Sequence, residues 1–407
     1  MTLNRCFALL ATLLPFVPAA RADNESLASI FTNAPKAAPA RVVVPRRSSI
    51  IFIACDGLGC GDLSCYGQTN FQTPNLDKLA AEGTRFTDYR AAGDDLPLAQ
   101  AALMTGKNAA LAPGELTLAE RLRQTGYRTG LIGEWTLGAQ PWTQGFDEFA
   151  GFLKESEARN YYSDFLWRFD AHYTYNPTSG QWAAVKPNGP HNGGPESLYA
   201  NLGGKHGRYL PDVFMSAVVN FVRINQPDFA NHYRPFFLLV NLPAPRRATA
   251  GRDDFPVPTD APFGGEPWPQ AAKNRAALIT RLDDDVGRLF EQLKKEGMTN
   301  NVAIFLTGAV APPKFANTNL DFLLLPGEVR GGASAARLRV PMIVRWPGHV
   351  PAGRVSAQPW SAADFAPTAL QIAYAKPAPG VTGISMLPTL LGEPGTNAPA
   401  SRGQPRR

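Results

Sequence analysis

The chain has 407 residues, of which 44% are hydrophobic and 18% are charged, and its formal net charge is +6. This length and composition exclude a disordered or fibrous chain and fit a globular protein of about one to three domains. The sequence shows no basic face with interleaved aromatic residues, which argues against nucleic-acid binding. Its modest positive charge is compatible with mild attraction to acidic polysaccharides.

The first 22 residues have the pattern of a secretory signal peptide. Arg5 precedes the apolar run 7–17, and the small-residue stretch Ala20-Arg21-Ala22 ends the segment. The apolar run is shorter than the ~20 residues that a spanning helix requires, and the sequence shows no other candidate. We therefore expect an exported, periplasmic or extracellular protein without a transmembrane anchor.

Composition divides the remainder of the chain into three segments. The Ala/Pro-rich residues 23–47 are expected to form a flexible leader, and the Gly/Pro/Ala/Arg-rich residues 393–407 a disordered tail. Residues 48–392 are expected to form the folded domain. Within them, residues 155–210 are rich in aromatic residues, Gly and Asn but have little periodicity, so we interpret them as an insertion that shapes a pocket.

Apolar runs of strand length alternate with amphipathic stretches along the folded domain. The predicted strands are 50–55, 127–133, 236–241, 302–307 and 340–344. The predicted helices are 75–82, 116–124, 213–224 and 272–295. This alternation predicts an α/β fold with a doubly wound, mostly parallel sheet flanked by helices.

The first predicted helix has clear boundary signals. Thr73 is suited to cap its amino terminus, Pro74 to occupy its first turn and Gly83 to follow its end. Leu76, Leu79 and Ala80 then share one face of the helix, which we expect to be buried.

Three cysteines follow the predicted signal peptide, at Cys55, Cys60 and Cys65. An odd number in an oxidising compartment leaves at least one thiol unpaired within the chain. Their regular spacing of five residues differs from that of zinc sites, whose ligands usually pair at two to four residues. We interpret them as small buried residues near a strand end.

Ligands of open α/β sheets bind beyond the carboxyl ends of the strands. In this chain those positions hold Asp56-Gly57, Glu134-Trp135-Thr136, the segment 243–247 with Arg246 and Arg247, and the apolar segment 308–311. An enzyme gathers titratable or metal-binding groups there. This set contains few of them.

Several sequence blocks together resemble the sulfatase family of the alkaline-phosphatase superfamily. They read IIFIACDGLGCGDLSCYG (50–67), TPNLDKLAAEGTRFTDY (73–89), TLAERLRQTGYRTGLIGEWTLG (117–138) and VPMIVRWPGHVPAG (340–353). The resemblance spans residues 48–392 and implies the alkaline-phosphatase-like fold. Sulfatases usually continue into a small C-terminal sheet domain, which we expect to be absent from this chain.

The resemblance also implies a calcium site, built from a pair of acids after the first strand and an Asp-Asn or Asp-His pair after a later one. These positions fall on Asp56 and Gly57, and on Gly308 and Ala309. Calcium takes about six to eight oxygen ligands. Asp56 is a lone remnant of this set by the alignment, so we expect that calcium, the first family cofactor, does not bind.

The family nucleophile is a Cys or Ser in the motif Cys-x-Pro-x-Arg that is converted to formylglycine. Aligned on AALMTG (101–106), the nucleophile falls on Leu96 and the motif arginine on Gln100. Leucine cannot be converted to that aldehyde, so the second family cofactor is also expected to be absent. In other hydrolases, removal of the nucleophile lowers turnover by roughly 10⁶.

Four further family positions, which hold sulfate or move protons, are changed. The Lys and His of GKWHLG are Glu134 and Thr136, the His of APH is Arg246, and the Lys of RGGK is Ala333. Arg246 and its neighbour Arg247 are the best candidates for residual anion binding, because guanidinium suits the geometry of sulfate. We interpret Asp56 as a structural carboxylate that is hydrogen-bonded to backbone.

Two acidic residues precede the helix that carries the nucleophile position. Asp94 and Asp95 stand just before Pro97, where a helix amino terminus attracts anions. They either cap the helix or, in addition, repel sulfate.

Three interpretations follow. The first is a catalytically inactive pseudo-sulfatase that binds a sulfated or acidic glycan or a protein. The second is an active sulfuric ester hydrolase of arylsulfatase type with an atypical nucleophile from the insertion, near His172, His191 or His206. The third is an inert product weakened by the absent C-terminal domain.

Overall fold

The computed structural model describes residues 47–93, 95–158, 160–176, 181–185, 191–248, 254–310 and 339–393. The predicted signal peptide lies outside these ranges. The same holds for the predicted leader before Arg47 and for the predicted tail after Glu393.

Helices and strands alternate through the described ranges. The helices are α1 (Pro74–Ala81), α2 (Leu96–Thr105), α3 (Leu118–Gln124), α4 (Leu210–Ile224), α5 (Gln270–Lys295), α6 (Phe365–Ile372) and α7 (Leu387–Leu390). The strands are β1 (Ser49–Cys55), β2 (Thr84–Phe86), β3 (Tyr89–Arg90), β4 (Arg128–Glu134), β5 (Glu148–Phe152), β6 (Phe165–Asp170), β7 (His172–Asn176), β8 (Gln181–Val185), β9 (Asn192–Ser197), β10 (Phe236–Leu242), β11 (Val302–Gly308), β12 (Met342–Arg345), β13 (Arg354–Ser356) and β14 (Trp360–Ser361).

Ten of the described strands form one sheet in the order β13-β2-β12-β11-β1-β10-β4-β5-β6-β9. The five central strands, from β11 to β5, are parallel. The predicted α/β fold with a mostly parallel sheet is therefore confirmed. The predicted strand at 340–344 differs in direction, because β12 runs antiparallel to β11.

Helices cover both faces of this sheet. In β1, Ile50, Phe52 and Ala54 pack into one hydrophobic core, while Ile51, Ile53 and Cys55 pack into a second. Alternate side chains of a strand point to opposite faces, so a strand covered on both faces is apolar throughout. The first core contains residues of α2, α3 and α6, and the second contains residues of α1, α4 and α5.

The start of α1 is capped by a distant residue. The Thr73 side chain makes no capping hydrogen bond, contrary to the prediction. Instead the backbone N–H groups of Asn75 and Leu76 donate to the carboxylate of Asp283 on α5, at 3.1 and 2.8 Å. This long-range cap joins two helices on one face of the sheet and satisfies amide groups that a helix leaves without partners.

The segment 155–210 contains regular structure that the sequence did not indicate. Strand β6 pairs antiparallel with β5, β9 pairs antiparallel with β6, and β7 pairs with β8 in a hairpin. The sequence of β9 is NGGPES, which has low strand propensity. Pairing with the edge of a large sheet outweighs that local preference.

Cys55 and Cys60 are buried and Cys65 is half-buried, each in the thiol form. This agrees with their interpretation as small packed residues. Burial, and to a lesser extent the negative charge of Asp77, raises the pKa of the Cys65 thiol to about 12.

No helix in the described part of the chain combines the length and apolarity needed to cross a membrane.

Candidate functional site

Four parallel strands bring their carboxyl ends to one edge of the sheet. Cys55 at the end of β1 is in register with Leu242 of β10 and with Gly308 of β11. Strand β4 pairs with β10 on the other side. Asp56 follows β1, Glu134 ends β4 and Arg246 lies in the loop after β10, so the topology gathers the residues that the sequence placed at this edge.

Arg246 forms ion pairs with three carboxylates. Its Nη1 lies 2.8 Å from Asp56 Oδ2 and 3.5 Å from Glu155 Oε2, and its Nη2 lies 2.9 Å from Glu134 Oε1. Asp56 and Glu134 are 3% and 1% exposed, whereas the Glu155 side chain is 46% exposed. We call these four residues the Arg246 cluster.

The Arg246 cluster shows the contacts of two predicted site residues. The Arg246 guanidinium contacts the carboxylates of the cluster, and its binding of an external anion stays a prediction. Asp56 was interpreted as hydrogen-bonded to backbone, but its carboxylate accepts from Arg246 Nη1. This contact arises because two buried carboxylates require a cation nearby to offset the loss of hydration.

The neighbouring residue Arg247 has its own partner. Its Nε donates to Asp254 Oδ1 at 2.8 Å, and its side chain is 49% exposed. The predicted pair of anion-binding arginines is therefore divided between two separate ion pairs. The Arg247 side chain is therefore accessible to solvent, whereas the Arg246 side chain is more buried, at 16% exposed.

Burial perturbs the pKa values of the two buried acids, Asp56 and Glu134. Desolvation raises the pKa of Glu134 to about 8, although the charge of Arg246 lowers it and that of Asp56 raises it. Desolvation likewise raises the pKa of Asp56 to about 6, against the opposing effect of Arg246. Burial alone would lower the pKa of Arg246, but Glu134 and Asp56 outweigh it and hold that pKa above its usual value.

Gln100, at the family arginine position, joins two other changed positions. Its Nε2 donates to the carbonyl oxygen of Glu134 at 3.0 Å. Its Oε1 accepts from the backbone N–H and the hydroxyl of Thr136, at 2.9 and 3.0 Å. Gln100 is 3% exposed. These bonds use both ends of the amide inside the protein, so it is not presented to a ligand.

The nucleophile position is apolar and enclosed. Leu96 begins α2 and is 4% exposed. It lines a small cavity of about 20 Å³, together with Gln100, Asn241, Gly308 and Ala309. A cavity of this size holds about one water molecule. The cavity beside Leu96 is therefore far too small for a sulfated sugar.

Asp95 is confirmed as a helix cap. Its Oδ1 accepts from the backbone N–H of Leu98 at 2.7 Å. This contact uses the carboxylate to satisfy an amide that would otherwise face an anion.

The residues at the family calcium positions do not fit calcium. A Cβ at Gly308 would lie 2.3 Å from the carbonyl oxygen of Leu58, and Gly57 has a φ of +81° that side chains rarely adopt. Among the described residues no group of three His, Cys, Asp or Glu is arranged to hold a metal ion. The carboxylate of Asp56 is bound to Arg246. We therefore derive no step through a metal.

The insertion supplies two residues that sequence reasoning missed. Glu155 contacts Arg246, and the Tyr161 hydroxyl donates to the carbonyl oxygens of Pro243, at 2.9 Å, and of Arg246. Neither lies at a strand end, so the topological rule does not reach them. Asn241 was also missed, because it lies inside β10; its Nδ2 donates to the carbonyl oxygen of Glu134 at 3.1 Å.

A buried ion pair fixes the loops that carry the site. Arg275 on α5 binds Asp62 through Nε at 3.0 Å and Nη2 at 2.6 Å, and both side chains are fully buried. The same guanidinium donates to the carbonyl oxygens of Gly57 and Pro245, each at 2.9 Å. One side chain thus holds the loops after β1 and β10.

Two of the residues that the sequence analysis named, Ala333 and Asp94, lie outside the described residues. Of the histidines proposed as alternatives, His206 stacks on the Tyr162 ring at 4.1 Å, and His191 forms a hydrogen bond with Glu196. His172 lies in β7.

Comparison with known proteins identifies the scaffold. The Sulfatase family model matches residues 48–375. The chain therefore belongs to the sulfatase family.

Similar proteins include two sulfatases of animals and one protein whose structure was solved in complex with an oligosaccharide. N-acetylgalactosamine-6-sulfatase of Sus scrofa is 28% identical over 393 residues, covering 85% of this chain and 66% of that protein. Arylsulfatase A of Bos taurus is 30% identical over 372 residues, covering 84% and 68%. The structure of Ps i-CgsB in complex with k-i-k-neocarrahexaose matches with a TM-score of 0.63 and 27% identity, covering 85% of this chain and 76% of that one. The chain thus spans slightly less than two thirds of the length of the first of these sulfatases.

Proposed function

We propose that this protein is a non-catalytic member of the sulfatase family. The observation that carries the proposal is the bond between the Arg246 guanidinium and the carboxylates of Asp56 and Glu134. Asp56 stands at a calcium position of the family, and Glu134 and Arg246 stand at positions that contact sulfate. The groups that would receive metal and substrate are instead bound to one another.

The site lacks the groups that cleavage of a sulfate ester requires. Leu96 has no atom that can attack sulfur, and the space beside it measures about 20 Å³. Gln100 is held by Thr136 and Glu134. Hydrolysis needs a nucleophile and a group that moves a proton within reach of the same substrate atom. Glu134 has a suitable pKa, but its buried carboxylate is bound to Arg246.

The charge of the cluster also opposes sulfate. With a proton on Glu134, the buried charges of Asp56 and Arg246 balance, and the carboxylate of Glu155, whose side chain is 46% exposed, adds one negative charge beside the guanidinium. This excess charge disfavours sulfate, and solvent screens it because Glu155 is exposed.

We further propose that the protein is exported and binds a sulfated or acidic glycan, or a protein, on a surface away from the cluster. The names of the relatives support a carbohydrate ligand, and the net charge of +6 favours an acidic one. Tyr199 in the insertion is 80% exposed and offers an aromatic face to such a ligand.

Turnover of an aryl sulfate, with and without added calcium, tests the loss of catalysis. We expect the purified chain to release no more product than a heat-inactivated sample. Turnover that disappears in Asp56→Ala but persists in Asp254→Ala would overturn the proposal, because Asp254 pairs with Arg247 outside the cluster. Thermal shift with matched sulfated and desulfated glycans then tests binding.

A further inference from the structure

The Arg246 cluster has the form of an occupied binding site. Nη1 of Arg246 faces Asp56 and Glu155, while Nη2 faces Glu134. Three carboxylates from three separate segments thus converge on the two terminal nitrogens of one planar cation, two of them on Nη1 and one on Nη2. Guanidinium presents its N–H groups in a rigid, planar fork, and this arrangement of acceptors matches that fork.

A second observation shows that the acids exceed what Arg246 satisfies. Glu134 Oε2 is buried and has no hydrogen-bond partner, and neither has Asn241 Oδ1. These residues are 1% and 3% exposed. Buried acceptors without donors are uncommon in folded proteins and favour occupation by a group rich in donors. The surroundings of Glu134 therefore favour a cationic donor and disfavour an anion.

We propose that Asp56, Glu134 and Glu155 form a binding site for a planar organic cation of the guanidinium class, and that Arg246 is the ligand that the chain itself supplies. Arg246 extends from the loop after β10, whose backbone is held by Tyr161 and by Arg275. The tethered side chain is present at a high effective concentration and keeps the site closed to free cations. Occupation of this site does not depend on sulfate turnover, so the two can be tested separately.

Chemical rescue of the full-length Arg246→Ala variant tests this proposal. Ethylguanidinium replaces the atoms that the substitution removes beyond Cβ. We expect the variant to melt below the wild type and millimolar ethylguanidinium to raise its melting temperature by on the order of 3 °C. The wild type, whose site is filled, is expected to show no such rise.

Arg247→Ala is the matched control. It removes an identical side chain from the next position, where Asp254 is the partner and the arginine is 49% exposed. We expect ethylguanidinium to leave its melting temperature unchanged. Ethylammonium has the same charge without the planar fork, and calcium is spherical, so both should rescue Arg246→Ala less than ethylguanidinium.

Three results would overturn the proposal: no rescue, equal rescue of both alanine variants, or rescue by calcium or ethylammonium as large as that by ethylguanidinium. If Arg246→Ala does not fold alone, its soluble yield after refolding in each cation becomes the readout. A yield that is the same in ethylguanidinium and ethylammonium would then contradict a site of guanidinium shape. A higher yield in ethylguanidinium would support it.

Discussion

Nη2 of Arg246 lies 2.9 Å from Oε1 of Glu134, at two positions where the family resemblance places a histidine and a lysine. The two residues complement each other, since a buried Glu134 without a cation would be costly. These two positions therefore contact each other through an internal ion pair.

The pH dependence of stability should report the buried Glu134. Its pKa is raised from 4.5 to about 8 in the folded protein, so across that window the folded state holds a proton that the unfolded state has released. Stability contributed by this group is therefore present at low pH and declines as pH rises toward 8. We expect the melting temperature of the wild type to fall relative to that of Glu134→Gln over this range. Glu266→Gln, an exposed control, should leave the pH profile unchanged. Parallel profiles of wild type and Glu134→Gln would contradict the raised pKa.

Restoring one calcium ligand should damage the fold without creating a metal site. In Gly308→Asp the new Cβ would meet the carbonyl oxygen of Leu58 at 2.3 Å. We expect a loss of about 1 to 3 kcal/mol, as for other overpacked cores, measured by urea unfolding. Gly265→Asp places the same side chain where no atom lies within 4 Å and should be close to neutral. Added calcium should not stabilise Gly308→Asp, and a calcium-dependent gain in its stability would show that the metal position is still open.

The alternation of apolar and amphipathic segments was sufficient to predict four of the five central strands, all except β5, and the edge at which the site lies. It also placed Asp56, Glu134 and Arg246 at that edge, because parallel strands end together. It could not show that Arg246 is bound by carboxylates, since that contact depends on side-chain directions in segments that lie 91 to 190 residues apart in the chain. Likewise, the position of Glu155 depends on an insertion whose strands, such as β9, form through pairing with an existing edge.

Breaking the Asp62–Arg275 ion pair should be among the most destabilising single changes in the chain. Arg275→Met leaves Asp62 as a buried charge without its cation, and we expect a loss of about 3 to 5 kcal/mol by urea unfolding. Arg281→Met is the matched control, because Arg281 pairs with Asp212 while both side chains are about one third exposed. Pairs of that kind contribute about 0 to 1 kcal/mol. Similar losses in the two variants would contradict the special weight given to the buried pair.

The role of Asp95 can be separated into capping and charge. Asp95→Ala removes the acceptor for Leu98 N–H and should cost about 1 kcal/mol in thermal or urea unfolding. Asp95→Asn retains a capping oxygen without the charge and should be nearly neutral. Neither variant should gain affinity for sulfate in a thermal-shift titration, because Leu96 and Gln100 still fill the space beyond the cap. A gain in Asp95→Asn alone would instead support repulsion of sulfate by this carboxylate.

The clamp formed by Arg275 fixes the path of two loops through their carbonyl oxygens at Gly57 and Pro245. Carbonyl oxygens are present whatever side chain a residue carries. The course of these loops is thus insulated from the identity of the neighbouring residues at 56 and 246, and substitutions there can accumulate while the scaffold endures. A fold that is held through its backbone in this way can be retained when the side chains of its site change. Similarity of fold therefore indicates common descent, whereas activity depends on the individual side chains of the site.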